Sequence, residues 1–577
     1  MIVGKSFLKS ILVAIAMAVI FVGVKVSVED RDHEKIVMDN MQFKAMLGEK
    51  EICFSPFQAE KEGSYYLVLP SAYEGKEFLG EISYDDRFYS FYIDGEKYRK
   101  GEVWGDSLTE EVHLMQLRDR FENVCMEKAF QVLVSEKIPA VFVTVEAKEA
   151  LFSKEEFANK QYVEKGNMIL VEESGNILLE EEMERFKVRG NLTSNLEKKP
   201  FTFTLSEPAG LLGMRESRNW HLLANATDGS HIRNKIMMDW ANELQAEEYH
   251  PTGEFVDLFL NGEYQGLYLL TETVEVSEQR LALDDTNSML LEMELDYRAI
   301  QEINYVATEK EHYWVVHKEQ PLGEEALREV SEYLNDIESA LYSEDGRGQL
   351  TGKSLKELLD FESWTDSWLL KEISSDQDLG TTSQFAMVED WEDRSVLVAG
   401  PEWDFDGSLG NAMVPWAREP RNLAAAIPNT KGIQSVNQNK WLSQMYRQKE
   451  FKELLVEKFV SEIQPKIHRL LETEIDAYAE SIRRPALMDS LRWIGNDVMD
   501  YFAFPENFCL GEQTDYRKYD VLDCQVAMIK EFLKEKEQFL YELWVEEAEF
   551  EVVIEEHKER NDSDLNYDTY VWIRKDK

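Results

Sequence analysis

The residues best suited to chemistry are Asp404 and Asp406, on the stretch Gly400-Pro-Glu-Trp-Asp-Phe-Asp-Gly-Ser-Leu-Gly-Asn411. An apolar run, residues 395–399, reads as a buried strand that delivers both acids onto a turn closed by Gly407, Gly410 and Asn411. Carboxylates held at a strand end suit a hard divalent cation, and an Asp-Phe-Asp-Gly turn does this for Mg²⁺ in phosphoryl transfer. The bland alternative is an acidic surface turn. Upstream, the polar loop Ser375-Asp-Gln-Asp-Leu-Gly-Thr-Thr-Ser-Gln384 places Asp378 five residues before Ser383. Kinases use a loop Asp to accept the hydroxyl proton and a side chain five positions later to hold a second Mg²⁺.

Further upstream, Phe186-Lys-Val-Arg-Gly-Asn-Leu-Thr193 is a strand running into a polar turn, and the chain returns as Lys198-Lys-Pro-Phe-Thr-Phe-Thr-Leu205. Phe201, Phe203 and Leu205 share one face of the returning strand, Thr202 and Thr204 the other. A strand, a glycine turn and a strand with lysines meet the needs of a phosphate lid. Backbone N–H groups at Gly190 can approach an anion, and a lysine supplies a point charge. The competing reading is an exposed hairpin with solvated lysines.

The elements that must position these groups follow from periodicity. Short strands at 141–145, 168–171 and 176–179 precede the lid. Residues 219–225 read as a strand, and Asp228 or Ser230 caps a helix on which Ile232, Ile236, Trp240 and Leu244 recur at helical spacing. Arg233 and Asn234, early in that helix, can reach phosphate or brace the turn; the alternative is a surface role. Residues 255–260 and 264–270 form a hairpin around Asn261-Gly262, because Asn-Gly accepts the positive φ of a two-residue turn. A sheet, one helix and a hairpin ending at Glu272 have the organisation of a kinase small lobe and hinge. From about 322 the pattern is helical, over Glu324–Tyr342, residues 354–374, 449–484 and 523–546.

Composition narrows the function classes. The chain has 577 residues, 112 Asp and Glu against 63 Lys and Arg, and a net charge of -49. Such a chain repels nucleic acid, and any nucleotide needs Mg²⁺ and a local cluster of positive groups. Few, scattered histidines and the lack of a Gly-x-Ser-x-Gly elbow argue against a hydrolase. Lys5 and Lys9 precede an apolar run over residues 11–24, which reads as an uncleaved signal anchor with the body outside the cytoplasm. A cleaved export peptide is the alternative. Cys53, Cys125, Cys509 and Cys524 form no zinc spacing; two disulfides, with 509–524 the easiest, or unpaired buried thiols are the options.

In combination, Arg189-Gly-Asn-Leu-Thr193 with Lys198-Lys-Pro-Phe201, Trp220-His-Leu-Leu-Ala-Asn225, Arg233-Asn234, Asn261-Gly-Glu-Tyr-Gln-Gly-Leu-Tyr268 with Glu272, Glu372-Ile-Ser374 with Asp378, and Trp403-Asp-Phe-Asp406 resemble the CotH family of spore-coat-protein-H-like atypical kinases. The resemblance covers roughly 140–545. It implies an α+β, protein-kinase-like two-lobed fold and Mg²⁺/ATP-dependent phosphorylation of protein serine or threonine. By resemblance Asp378 matches the catalytic aspartate, and Asp404, helped by Asp406 and Ser383, the metal site. Lys199, or Lys198, matches the nucleotide lysine, and Arg189, Gly190 and Asn191 the phosphate-side turn; Arg233 and Glu272 complete the nucleotide set. The chain departs from the family where its turn reads Leu192-Thr193-Ser194 rather than Ser-Thr-Trp. It departs again at Thr204, where another basic residue is common, at Asp376, where Asn is frequent, and at Ser383, a poorer Mg²⁺ ligand than Asn. The expected organisation is an anchor or signal peptide (1–29), a β-rich accessory module (30–136), a small lobe (137–275), a helical large lobe (276–548) and a tail (549–577). The rival expectation is a catalytically inactive scaffold, coat or adhesion protein at the cell surface.

Overall fold

A computed structural model describes residues 41–575, except 60–62, 85, 88, 108–110, 154–157, 192, 245–248, 284–286, 319, 380, 413, 427–439, 494–519 and 556–568. The expected anchor over 1–29 lies outside the described residues. Among those described, no helix is long and apolar enough to cross a membrane.

The chain divides into two compact units. The first runs to Ser135 and takes in 174–176 and 261–264. It holds a four-stranded and a six-stranded sheet. Alternation puts Phe43, Phe78, Trp104 and Phe130 inside, where their rings pack at 5.7–6.4 Å.

The second unit opens with a closed seven-stranded barrel. Its strands are β1 (Ala140–Val145), β2 (Glu164–Val171), β3 (Ile177–Val188), β4 (Phe201–Ala209), β5 (Ser217–Leu223), β6 (Gly253–Leu260) and β7 (Glu263–Glu272), with helix α1 (Arg233–Glu243) between β5 and β6. The order is β1-β2-β3-β4-β5-β7-β6, closed by parallel pairing of β1 with β6. Phe186, Val188, Phe201, Phe203, Trp220 and Leu222 are buried in one core cluster. Period-two geometry therefore turns Lys187, Thr202 and His221 outward, in one cross-strand row. The β6–β7 turn has the expected geometry, with φ of 51° at Asn261 and 86° at Gly262.

An antiparallel five-stranded sheet follows. It uses β8 (Met289–Glu294), β9 (Tyr305–Ala307), β10 (Tyr313–Val316), β11 (Gln384–Val388) and β12 (Val398–Ala399) in the order β9-β10-β8-β11-β12. Only two residues of the apolar run at 395–399 pair as strand. Helices α2 (Glu324–Tyr342), α3 (Phe361–Ser374), α4 (Lys440–Arg447), α5 (Arg483–Trp493) and α6 (Asp520–Trp544) pack with this sheet, and fully buried Trp314, Trp364, Trp368 and Trp441 fill the core. The fold is α+β. Cys524 is disulfide-bonded while Cys53 and Cys125 are free, so two disulfides do not form; Cys509 lies outside the described residues.

Candidate functional site

Helix α3 is the anchor of the site. Asp360 caps it by accepting from Ser363 N at 2.8 Å, and Trp364, Trp368, Leu369, Leu370 and Ile373 bury it. It ends at Ser375 in the left-handed conformation, φ 46°, which turns the chain into the loop carrying Asp376 and Asp378. Two backbone bonds stitch this loop to the acidic turn: Leu409 N donates to Ser374 O at 2.7 Å, and Gln377 N to Gly407 O at 3.0 Å. The Gln377 side chain lies over Gly407, where a Cβ would fall 2.5 Å from Gln377 Nε2 and oblige that side chain to move. Pairing of Ala386 with Ala399 holds the other ends of the two segments in register. The acids from the two loops are therefore neighbours.

Helix α1 clasps the same turn from the barrel side. Arg233, fully buried, bonds Asp228 and reaches Ser408 O at 3.0 Å through Nε and Leu409 O at 3.4 Å through Nη2. Asn234 Oδ1 accepts from Phe405 N at 2.8 Å. Asp228 accepts from Ser230 N and Arg233 N, although the capping position proper is Ile232.

Ser383 Oγ donates to Asp404 Oδ2 at 3.3 Å, and Thr227 Oγ1 to Asp406 Oδ2 at 2.8 Å. Both Asp404 and Ser383 have positive φ, 70° and 55°. Burial, then the charge of Asp404, pushes the Asp406 carboxyl up to about 7. Burial, then Asp376, Asp404 and Asp406, holds Asp378 well above the ordinary carboxylate range. Beneath them lies Lys371, which sequence reasoning missed. Its ammonium bonds Asp376 Oδ2 at 3.1 Å and Trp403 O at 3.4 Å, and lies 3.7 Å from Glu402. No local pattern singles out this lysine, one polar position on a buried helix.

Among the described residues no group of three or more His, Cys, Asp and Glu side chains converges closely enough to hold a metal ion alone. The donor chemistry nonetheless fits Mg²⁺, which takes one or two carboxylates and completes its shell with phosphate oxygens and water.

The facing wall is cationic. The Arg189 guanidinium lies 5.7 Å from the Trp403 ring centroid, and the His221 ring 5.8 Å from it. Burial lowers the Arg189 pKa while Asp404 and Asp406 raise it, so its charge and theirs interact. Gly190, φ 84°, starts the turn, and Asn191 Oδ1 accepts from Lys160 Nζ at 3.0 Å. The lysine pair lies elsewhere. Lys198 Nζ is ion-paired with Asp489 at 2.6 Å and bonds Leu267 O at 2.7 Å; Lys199 Nζ bonds Ser194 O at 2.9 Å. Glu272 accepts from Arg215 N at 2.6 Å and Nη1 at 3.1 Å, pinning the end of β7. The structure thus gathers Asp378, Asp404, Asp406, Ser383 and Arg189, and gives Lys198, Lys199, Arg233 and Glu272 partners inside the fold.

The family model described as CotH kinase protein matches residues 186–540. Inner spore coat protein H of Bacillus subtilis (strain 168) is 23% identical over 336 residues, spanning 56% of this chain and 82% of the relative.

Proposed function

This chain belongs to the CotH kinase family, and on that premise we propose that its second unit is a two-lobed, protein-kinase-like phosphotransferase that moves the γ-phosphoryl group of Mg-ATP to a protein serine or threonine hydroxyl. The observation carrying this reading is the stitching of the Asp378 loop to the Asp404–Asp406 turn, opposite Arg189. Asp404 and Asp406, with Ser383, would hold Mg²⁺, which when bound supplies charge neutralisation to the phosphates. Asp378 orients the acceptor hydroxyl and takes its proton. Its raised affinity for protons is relieved when a cation enters beside it. Arg189 and the Gly190 turn approach the phosphates, and Lys371 fixes Asp376 and Trp403 from below. Asp404→Ala is expected to abolish Mg²⁺-dependent ATP binding, and Asp378→Ala to spare binding while removing transfer of label from the γ-phosphate. Full transfer by Asp378→Ala would refute the assignment.

A second reading, a non-catalytic coat component outside the cytoplasm, is favoured by the internal partners of Lys198 and Lys199 and by the spore-coat name of the relative. Thermal shift separates the two. A ligand at a hundred times its Kd stabilises by roughly 2.7 kcal/mol, and no shift at saturating Mg-ATP selects the coat protein.

A further inference from the structure

Strand β3 ends in an alternation, Arg185-Phe-Lys-Val-Arg189, whose apolar members enter the barrel core. Its three cations therefore lie on the opposite face, the face bearing His221 and reaching Trp403. Register fixes their neighbours: Lys187 is opposite Thr202, and Arg185 opposite Thr204. Threonines are short, so the longer β3 side chains can extend over β4.

Among the described residues, no carboxylate lies within ion-pair distance of Arg185, Lys187 or Arg189, in a chain with 112 acids. By contrast, Arg218 of β5 pairs with Glu184, and nearby Arg215 and Lys198 pair with Glu272 and Asp489. Arg185 Nε is buried without a hydrogen-bond partner. Burial and mutual repulsion lower the proton affinity of Lys187, and burial followed by Arg298, Lys187 and Arg189 does the same for Lys160. Like charges crowded in this way are relieved by a multivalent anion.

We infer that the outward face of β3, with Lys187 at its centre and Arg185 and Arg189 on either side, binds the phosphate chain of the ligand in place of the lysine pair at 198 and 199. The inference deepens the nucleotide reading given above, and rests on it only for the identity of the polyphosphate. An acidic wall across from a basic one suits an anion whose far end is bridged by a divalent cation.

The test is calorimetric titration of the full chain with Mg-ATP and, separately, with Mg-tripolyphosphate, which lacks a base. Lys187→Gln and Arg185→Gln are expected to weaken both ligands by about tenfold or more each, with melting temperature preserved, and Lys187→Arg to restore most of the affinity. Lys235→Gln, whose ammonium pairs with Asp239 and Glu254, is the control expected to change neither. Tripolyphosphate binding with this dependence but no ATP binding would sink the nucleotide reading and keep the β3 site. ATP binding that survives both β3 variants but is lost in Lys199→Gln would overturn the β3 site and leave the nucleotide reading standing. Failure of the wild-type chain to bind either ligand would overturn both.

Discussion

Replacing Arg233 by Met removes a guanidinium that is fully buried and joined to Asp228, Ser230 Oγ, Gln525 Oε1 and the carbonyls of Ser408 and Leu409. Met keeps most of the volume, so the loss is electrostatic. Removing one partner of a buried ion pair strands the other and costs about 3–5 kcal/mol. The second unit comprises about 435 residues, and at roughly 2.1 cal/mol/K per residue this loss lowers its melting temperature by about 3–5 °C. Asp228→Asn in the same chain removes the stranded charge and keeps one acceptor oxygen, enough for Ser230 N but not for Arg233 N as well, so the double variant should regain about half of the loss. Melting followed by tryptophan fluorescence, alongside Mg-ATP titration, is the assay. A melting temperature unchanged in Arg233→Met, together with an ATP affinity about tenfold weaker, would refute the clasp and make Arg233 a ligand of the nucleotide.

Gly407→Ala needs no strained backbone, since φ there lies outside the left-handed region, but its Cβ would displace the side chain of Gln377, whose own N–H ties the two acidic loops together. Phosphoryl transfer should fall by about a hundredfold, as for a misplacement of about 1 Å, with a melting temperature near that of the parent; unchanged transfer would show that the loop stitching does not set the geometry. His250 Nδ1 accepts from Glu402 N at 3.1 Å, and burial, then Arg215, pushes the imidazole pKa down to about 4. The unfolded chain takes up this proton first, near 6.5, so stability falls as pH drops from 6.5 to 4, by up to about 3 kcal/mol. His250→Asn keeps an acceptor and should flatten that part of the pH–stability curve; an identical curve in urea melts at pH 4, 5, 6 and 7 would refute the buried neutral histidine.

Local pattern made much of the fold legible. Asn261-Gly262 announced its hairpin because few other pairs tolerate two positive φ angles. The face alternation of β4 followed from apolar residues at every second position. Helix α2 was recognisable from apolar spacing alone, whereas the strand before the acidic turn shrank to Val398–Ala399 because its pairing depends on β11, not on its own residues. Closure of the sheet into a barrel was not legible, since the parallel contact of β1 with β6 joins segments with no sequence mark of adjacency.

By itself, the sequence determined which side chains share a strand face, where the chain turns, that an acidic turn and an acidic loop exist, and that the chain resembles the CotH family. Only the tertiary structure decided which cation meets those acids. The sequence offered Lys199, and less surely Lys198, as the phosphate lysine; the fold brings Asp489 of α5 to Lys198 and sets Arg189 5.7 Å from the Trp403 ring centroid. The physical reason is that strand periodicity fixes the direction of a side chain locally. A long charged side chain then pairs with whichever opposite charge packing from distant segments brings within reach.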